Sequence, residues 1–136
     1  MNDYPVVVTF PVHWGDLDAL GHVNNARFFT WFESARMAVF ERVGLEFTGT
    51  PEVGPILAHT SCDFLAPVRF PAAVLAGARI ASLGNTSFTM EYGVALESEP
   101  DRLVARGRGV IVLIDYRTNT KVALPEALRA TLEALR

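Results

Sequence analysis

A short polar segment, residues 14–25 with the sequence WGDLDALGHVNN, carries the side chains best suited to chemistry. It holds two aspartates, a histidine and two asparagines, and a long apolar helical pattern follows at once. A helix N-terminus leaves backbone N–H groups without acceptors and carries a partial positive charge. Such groups can hold a carbonyl oxygen that becomes negative during acyl transfer, and a nearby carboxylate can act as base or nucleophile. The segment therefore predicts both halves of a hydrolytic site.

The size and composition of the chain limit the kind of fold that can hold this segment in place. The chain has 136 residues, half of them hydrophobic, which predicts a single domain over residues 1–136 with one core. The net charge of −3 argues against nucleic acid as a partner. Cys62 is the only cysteine, which fits a reducing compartment. No bilayer-spanning run or signal-peptide pattern is present, so we expect a cytoplasmic protein without a membrane partner.

The helix after the polar segment has clear ends in the sequence. Asn24 or Asn25 is a good N-cap, because an asparagine side chain can accept a hydrogen bond from an N–H of the first turn. The apolar pattern continues to about Val43, and Gly44 is typical of a helix stop. The apolar face is broad and rich in aromatic residues, and we expect it to be too large for one thin sheet to cover.

Alternating patterns predict a sheet for this helix to pack on. Residues 56–66 and 86–96 both show apolar side chains at even positions, with Cys62 on the apolar, core-facing side. Further strands are predicted from about Val6 to Phe10 and over 74–83 and 103–115, and a short helix over 125–135. The order β-α-β-β-β-β-α predicts an α+β fold, with a long helix on a curled antiparallel sheet of about five strands.

Four sequence blocks carry a resemblance to known proteins. They are GDLD with GHVNN in the polar segment, FTWFESAR at 29–36, DFLAPVRF at 63–70, and VIVLID at 110–115 followed by Pro125. On these blocks the chain, from about Val6 to Leu135, resembles the hotdog-fold acyl-CoA thioesterases, and within them the 4-hydroxybenzoyl-CoA thioesterase-like branch. The resemblance implies a hotdog fold and a homodimer or dimer of dimers. It also implies an active site between protomers, and neither a metal nor a bound cofactor.

By position, the resemblance also implies roles for individual residues. Asp18 matches the family's catalytic carboxylate, which acts either as nucleophile or as a base on water. The backbone N–H that polarises the thioester carbonyl falls on Asn25, with Asn24 as its neighbour in the substrate site. His22 matches a histidine that related acyl-carrier-protein thioesterases use near the same aspartate.

Other polar residues have a structural interpretation beside a functional one. Asp16 is interpreted as a cap or dipole partner of the helix. Glu33 fits an ion pair with Arg36, three residues on, although some family members use an acidic residue at this helix position to contact substrate. His13 and His59 lack a second metal-ligating residue at useful spacing, and we interpret both as structural or surface groups.

Two departures from the family bear on substrate binding. Related acyl-carrier-protein enzymes carry a polar residue where this chain has Leu20. The turn that holds the nucleotide phosphates in the 4-hydroxybenzoyl-specific enzymes contains basic residues, whereas residues 84–87 here are Gly-Asn-Thr-Ser. Arg69, Arg106 and Arg108 are the cations that remain as candidates for the phosphates.

The sequence thus predicts an acyl-CoA thioesterase, with a short-chain, medium-chain or aryl acyl group as substrate. Water, directly or after an anhydride, would cleave the thioester while His22 orients Asp18, water or substrate. Two alternatives stay open. One is a hotdog domain that binds or senses acyl-CoA without hydrolysing it, and the other is a hotdog hydratase or dehydratase.

Overall fold

A computed structural model describes the whole chain, Met1 to Arg136. Its elements in chain order are β1 (Val6–Pro11), a short 3-10 helix (Trp14–Asp16), α1 (Asn25–Val43), β2 (Val53–Phe64), β3 (Ala73–Leu83), β4 (Ser87–Leu96), β5 (Leu103–Asp115), β6 (Thr120–Lys121) and α2 (Glu126–Glu133). The α+β architecture predicted from the sequence is confirmed. The 3-10 helix and the two-residue β6 were not predicted, and Pro125 caps α2 instead of lying in its first turn.

The ends of α1 follow from local capping chemistry. The Asn24 side chain accepts a hydrogen bond from the Ala26 N–H at 2.9 Å, so Asn24 is the N-cap and Asn25 the first helical residue. At the other end Gly44 adopts a left-handed conformation with φ of 70°, and its N–H donates to the carbonyl oxygens of Phe40 and Glu41. Both predicted boundaries are confirmed.

One chain covers the apolar face of α1, contrary to the expectation that a single sheet would not suffice. The buried residues of the helix are Phe28, Trp31, Phe32, Ala35, Arg36, Val39 and Phe40. The sheet reaches around the helix because it is strongly curled, with order β1-β3-β4-β5-β2 and every pair antiparallel. The helix therefore offers no uncovered apolar face as an argument for a second subunit.

The central strands carry the predicted alternation. Phe88, Met90, Tyr92 and Val94 of β4 are almost completely buried beneath α1. Opposite them on β5, Gly107 leaves room for the ring of Phe32, which stacks on Tyr92 with centroids 5.0 Å apart. A Cβ at position 107 would collide with that ring, so this glycine permits close approach of the helix.

Strand β2 departs from the prediction. A register shift between Leu57 and His59 inserts Ala58 as an extra residue. Since paired residues on neighbouring strands share a face, the shift moves Leu57 onto the helix-facing side and Ile56 onto the outer one. The strand is also an edge strand that pairs only with β5, and it is exposed along most of its length. The expectation of a fully buried face on β2 is therefore wrong for the single chain. Cys62 pairs with Gly107, so it lies on the helix-facing side as predicted and packs against the core, but it is only half-buried.

The outer face of the sheet, the one turned away from α1, is partly covered by the N-terminal residues. The Tyr4 ring lies against Gly77 and Gly93, which are paired across β3 and β4. The terminal amine of Met1 donates to the Pro100 carbonyl oxygen at 2.7 Å. Neither helix of the protein combines the length and apolar character that crossing a bilayer would need.

Candidate active site

A buried carboxylate ties the polar segment to the start of α1. Asp16 accepts the His13 N–H at 2.8 Å and forms an ion pair with the Arg27 Nε at 2.9 Å. Its carbonyl oxygen accepts the Asn24 N–H at 2.8 Å. These contacts engage both carboxylate oxygens, so Asp16 anchors the loop to the helix. The role is structural, as expected, but the carboxylate acts through His13 and Arg27, while Asn24 caps the helix.

Asp18 occupies a different environment two residues later. Its Oδ1 accepts the N–H groups of Leu20 at 2.9 Å and His22 at 3.3 Å. Its own backbone N–H donates to the His22 carbonyl oxygen at 2.7 Å, which closes a tight loop. The second oxygen, Oδ2, accepts no hydrogen bond within the protein. The carboxylate is thus held in orientation by one oxygen while the other is free to react.

The N-terminus of α1 provides a free donor beside this carboxylate. The Asn24 side chain accepts a hydrogen bond from the Ala26 N–H, and the Asn24 carbonyl oxygen accepts one from the Arg27 N–H at 3.0 Å. The Asn25 N–H has no acceptor in the protein, because the first residue of a helix has no partner one turn back. A substrate oxygen placed here would also meet the positive end of the helix dipole.

These groups line one open cavity of about 430 Å³. Its lining residues are Asp18, His22, Val23, Asn24, Asn25 and Phe28 on one side and residues 64–68 on the other. Four of the six residues assigned to the site from the sequence therefore meet in one place. We call this cavity the helix-end cavity.

The second wall of the helix-end cavity was missed in the sequence. It consists of the end of β2 and the following residues Phe64, Leu65, Ala66, Pro67 and Val68. The Phe64 ring packs edge-on against Phe28, and the Val23 N–H donates to the Val68 carbonyl oxygen at 2.8 Å. An apolar run that continues past the end of a strand was the available signal. Both Phe64 and Leu65 are about half exposed, which leaves apolar surface for an acyl or pantetheine group.

Glu33 and Arg69 lie outside the helix-end cavity. Glu33 is exposed and 3.8 Å from the Arg36 guanidinium, which matches the ion pair expected from their spacing. Arg36 is unexpectedly buried, and its Nη1 donates to the Tyr92 hydroxyl at 3.3 Å. Burial, opposed by this guanidinium, raises the pKa of Tyr92 above its ordinary value.

The fold contains neither a reactive thiol nor a cluster of metal-binding side chains. Burial, followed by the nearby Asp63 carboxylate, raises the pKa of the Cys62 thiol to about 11, so this thiol is protonated at neutral pH. No three His, Cys, Asp or Glu side chains come together in an arrangement that would hold a metal ion. The helix-end cavity offers instead a carboxylate, a free backbone N–H and an imidazole. A carboxylate and an N–H donor can serve as the base or nucleophile and the oxyanion donor of acyl transfer to water.

Comparison with known proteins places the chain in a family. The sequence model of the thioesterase-like superfamily matches residues 12–132. A 1,4-dihydroxy-2-naphthoyl-CoA hydrolase of Synechococcus sp. (strain WH7803) is 30% identical over an alignment of 137 positions, which covers 93% of this chain and 88% of that protein.

Solved structures show the same relationship. The PA5185 protein of Pseudomonas aeruginosa strain PAO1 is 37% identical, with a TM-score of 0.87 over 99% of this chain and 94% of that one. A thioesterase of Thermus thermophilus, crystallised with coenzyme A and Zn, is 33% identical, with a TM-score of 0.83 over 99% of this chain and 96% of that one. The hotdog fold implied by the sequence is confirmed. The chain belongs to the thioesterase-like superfamily and is a thioester hydrolase.

Proposed function

We propose that the protein hydrolyses an acyl-CoA thioester in the helix-end cavity, with Asp18 as the catalytic carboxylate and the Asn25 N–H as the oxyanion donor. One observation carries this proposal. The unbonded Oδ2 of Asp18 and the unbonded N–H of Asn25 belong to residues that line the same cavity. A carbonyl placed between them would meet a donor at its oxygen and a carboxylate at its carbon.

The reaction follows from this arrangement by either of two routes. Asp18 attacks the carbonyl carbon, the C–S bond breaks, CoA leaves as thiolate, and water then hydrolyses the resulting anhydride. Alternatively, Asp18 takes a proton from a water molecule that attacks the same carbon. Both routes place negative charge on the carbonyl oxygen, which the Asn25 N–H and the helix dipole stabilise.

His22 and Asn24 act around this pair. The backbone of His22 holds Asp18 through two hydrogen bonds, and its half-buried side chain lines the cavity. We assign His22 to orienting Asp18, water or substrate. Asn24 fixes the start of α1, so it presents the neighbouring N–H at a defined position.

The free edge of β2 supports a homodimer. Apolar side chains are exposed along it, among them Val53, Ile56, Leu57 and Phe64. An exposed edge presents unpaired N–H and C=O groups along a strand, which a second copy can satisfy by extending the sheet. Because β2 ends at the helix-end cavity, pairing along this edge would bring partner residues to the site. A dimer of dimers would require a further interface.

Residues around the cavity fit a substrate with an apolar acyl group. Trp14 is 74% exposed and Leu20 is 80% exposed, and both flank the loop that carries Asp18. Leu20 stands where related enzymes have a polar residue, which makes this part of the loop apolar. An aryl group is supported by the relative at 30% identity whose name specifies a naphthoyl thioester. Short and medium acyl chains fit the same lining.

We further propose that residues 1–136 act as one thioesterase domain, since the buried side chains form a single hydrophobic cluster of 25 residues. Cys62 is free, which fits a reducing compartment, and we propose the cytoplasm as its location.

Thiol release from a panel of aryl-, short- and medium-chain acyl-CoA thioesters tests the activity. Two variants at position 25 test the oxyanion site. Asn25→Pro removes the N–H at a position where proline is tolerated, and the preceding Asn24 already has the extended ψ of 139° that proline prefers before it. Asn25→Ala retains the N–H.

We expect Asn25→Pro to depress turnover much more than Asn25→Ala, while the two melt within a few degrees of each other. Equal turnover of the two variants would place the oxyanion donor elsewhere. Tight binding of acyl-CoA without thiol release from any member of the panel would favour a sensing role. Reaction of an unsaturated acyl chain with the thioester intact would favour a hydratase.

A further inference from the structure

A cavity with a volume of about 790 Å³ lies on the outer face of the sheet. We call it the outer cavity. Its arginines are Arg79, Arg102, Arg106 and Arg108, and four carboxylates also line it. Arg106 and Arg108 of β5 point outward, because the intervening Gly107 faces Phe32 of the helix.

The four arginines of the outer cavity differ in their pairing. Arg79 donates to Glu91 with a shortest distance of 2.8 Å, and Arg102 lies 3.4 Å from Glu99. Arg106 and Arg108 form no ion pair and donate no side-chain hydrogen bond, and both are exposed. Two guanidinium groups without an ion-pair partner therefore belong to residues on one strand face, and the backbone positions of these residues lie about 7 Å apart along the strand.

Two carboxylates are neighbours of this pair in the sheet, yet neither forms an ion pair with it. Asp63 is the register partner of Arg106, and Glu91 is a register partner of Arg108. Glu91 forms its ion pair with Arg79 instead, and Asp63 forms none. The surface thus keeps two adjacent cations free, a spacing suited to a ligand with more than one phosphate group.

The outer cavity and the helix-end cavity share one lining residue. Leu65, the residue after β2, lines both. From Leu65 back to Ser61, which pairs with Arg108, the chain covers four residues, or about 14 Å in an extended strand. The exposed side chains of Phe64 and Leu65 at the junction would accommodate an extended arm with apolar methylene groups. Arg69, the third candidate cation, lines neither cavity.

We propose that the outer cavity binds the nucleotide end of CoA, with its pyrophosphate and 3′-phosphate on Arg106 and Arg108, while the pantetheine arm crosses the end of β2 at Leu65. This inference rests on the proposed function, because it supplies the other half of the same substrate. It assigns the phosphates to a face of β5, away from the turn at residues 84–87, which has no cationic side chain of its own.

The test compares acyl-CoA with the acyl-pantetheine thioester of the same acid, which lacks the nucleotide. The variants are Arg106→Gln and Arg108→Gln, and Lys121→Gln on β6 is the matched control for net charge. Each arginine variant should raise KM for acyl-CoA about tenfold, equivalent to about 1.4 kcal/mol, with unchanged kcat. Neither should change KM for acyl-pantetheine, and the control should change neither substrate's KM.

A KM for acyl-CoA within twofold of the parent in both variants would overturn the assignment, as would an equal rise for both substrates. If the parent hydrolyses no thioester, the proposed function fails. Calorimetry then still tests the outer cavity, because it measures the binding of adenosine 3′,5′-bisphosphate without any hydrolysis. Binding that is lost in Arg106→Gln and Arg108→Gln but kept in Lys121→Gln supports the outer cavity. If the parent does not bind the bisphosphate, or if all three variants bind it equally, the outer cavity is excluded as the nucleotide site.

Discussion

Replacing Asp18 by asparagine separates its chemical role from its structural one. The asparagine oxygen can still accept the N–H groups that Asp18 Oδ1 binds at 2.9 and 3.3 Å, so the loop keeps its shape. Asp18 is exposed, and exchanging a charged for a neutral acceptor should reduce the free energy of unfolding by about 1 kcal/mol or less. The second oxygen, however, becomes an NH₂ group that can neither attack a carbonyl nor accept a proton.

We therefore expect Asp18→Asn to lower turnover at least about a hundredfold, equivalent to about 2.7 kcal/mol in the activation barrier. Thiol release under saturating acyl-CoA measures kcat, and thermal melting of the same preparation measures stability. The expected variant melts close to the parent and is nearly inactive.

Asp16→Asn is the matched control. Asp16 is buried, 2.9 Å from the Arg27 Nε and 2.8 Å from the His13 nitrogen, so its charge stabilises the loop. This variant should lose about 1–3 kcal/mol of stability but retain turnover within about tenfold of the parent. Turnover of Asp18→Asn within tenfold of the parent would remove Asp18 from catalysis. Equal losses in the two variants would show that the structure does not distinguish their roles.

Three further predictions follow from the edge strand, the core and the lone thiol. Ile56→Lys places a charge on the free edge of β2 and should convert a dimer into monomers with lower turnover, as seen by sedimentation and thiol release. Gly107→Ala forces a methyl group against the Phe32 ring and should cost about 1–3 kcal/mol of stability in denaturant unfolding. The pKa of Cys62 is raised to about 11, so the folded thiol stays protonated where an unfolded one ionises. Stability should therefore fall as pH rises from about 9 to 11, and thermal melting of Cys62→Ala should show a weaker fall.

Each of these predictions has a control in the same chain. Val7→Lys places the same charge at an exposed position of β1, the opposite edge, and should leave the oligomeric state unchanged. Gly15→Ala adds a methyl group with no atom within 4 Å, and its stability should match the parent. A parent protein that is a stable, active monomer would contradict the role of the β2 edge. A Gly107→Ala variant as stable as Gly15→Ala would contradict the packing argument. An equal loss of stability between about pH 9 and 11 with and without Cys62 would contradict the argument from the thiol pKa.

Features that depend on a few neighbouring residues were predictable. The cap at Asn24 and the stop at Gly44 rest on hydrogen bonds within one turn of the chain, and both were predicted. The alternation from Phe88 to Val94 lies on a central strand with partners on both sides, so its period describes correctly which side chains face the helix. Thr89 and Gly93 on the other face are buried as well. The candidate site was found for the same reason: Asp18 and Asn25 are close in sequence and belong to one loop and helix start.

The sequence alone thus determined the helix ends, the central strands and one wall of the site, because short-range backbone chemistry decides them. The tertiary structure decided what depends on distant partners. The bulge beside Leu57 exists only through pairing with β5, and such a one-residue shift exchanges the faces of a strand. The second wall at residues 64–68 joins the site through a contact with Val23, and the unpaired state of Arg106 and Arg108 depends on where Glu91 finds its partner. Those arrangements are set by packing between segments far apart in the chain, which local pattern does not encode.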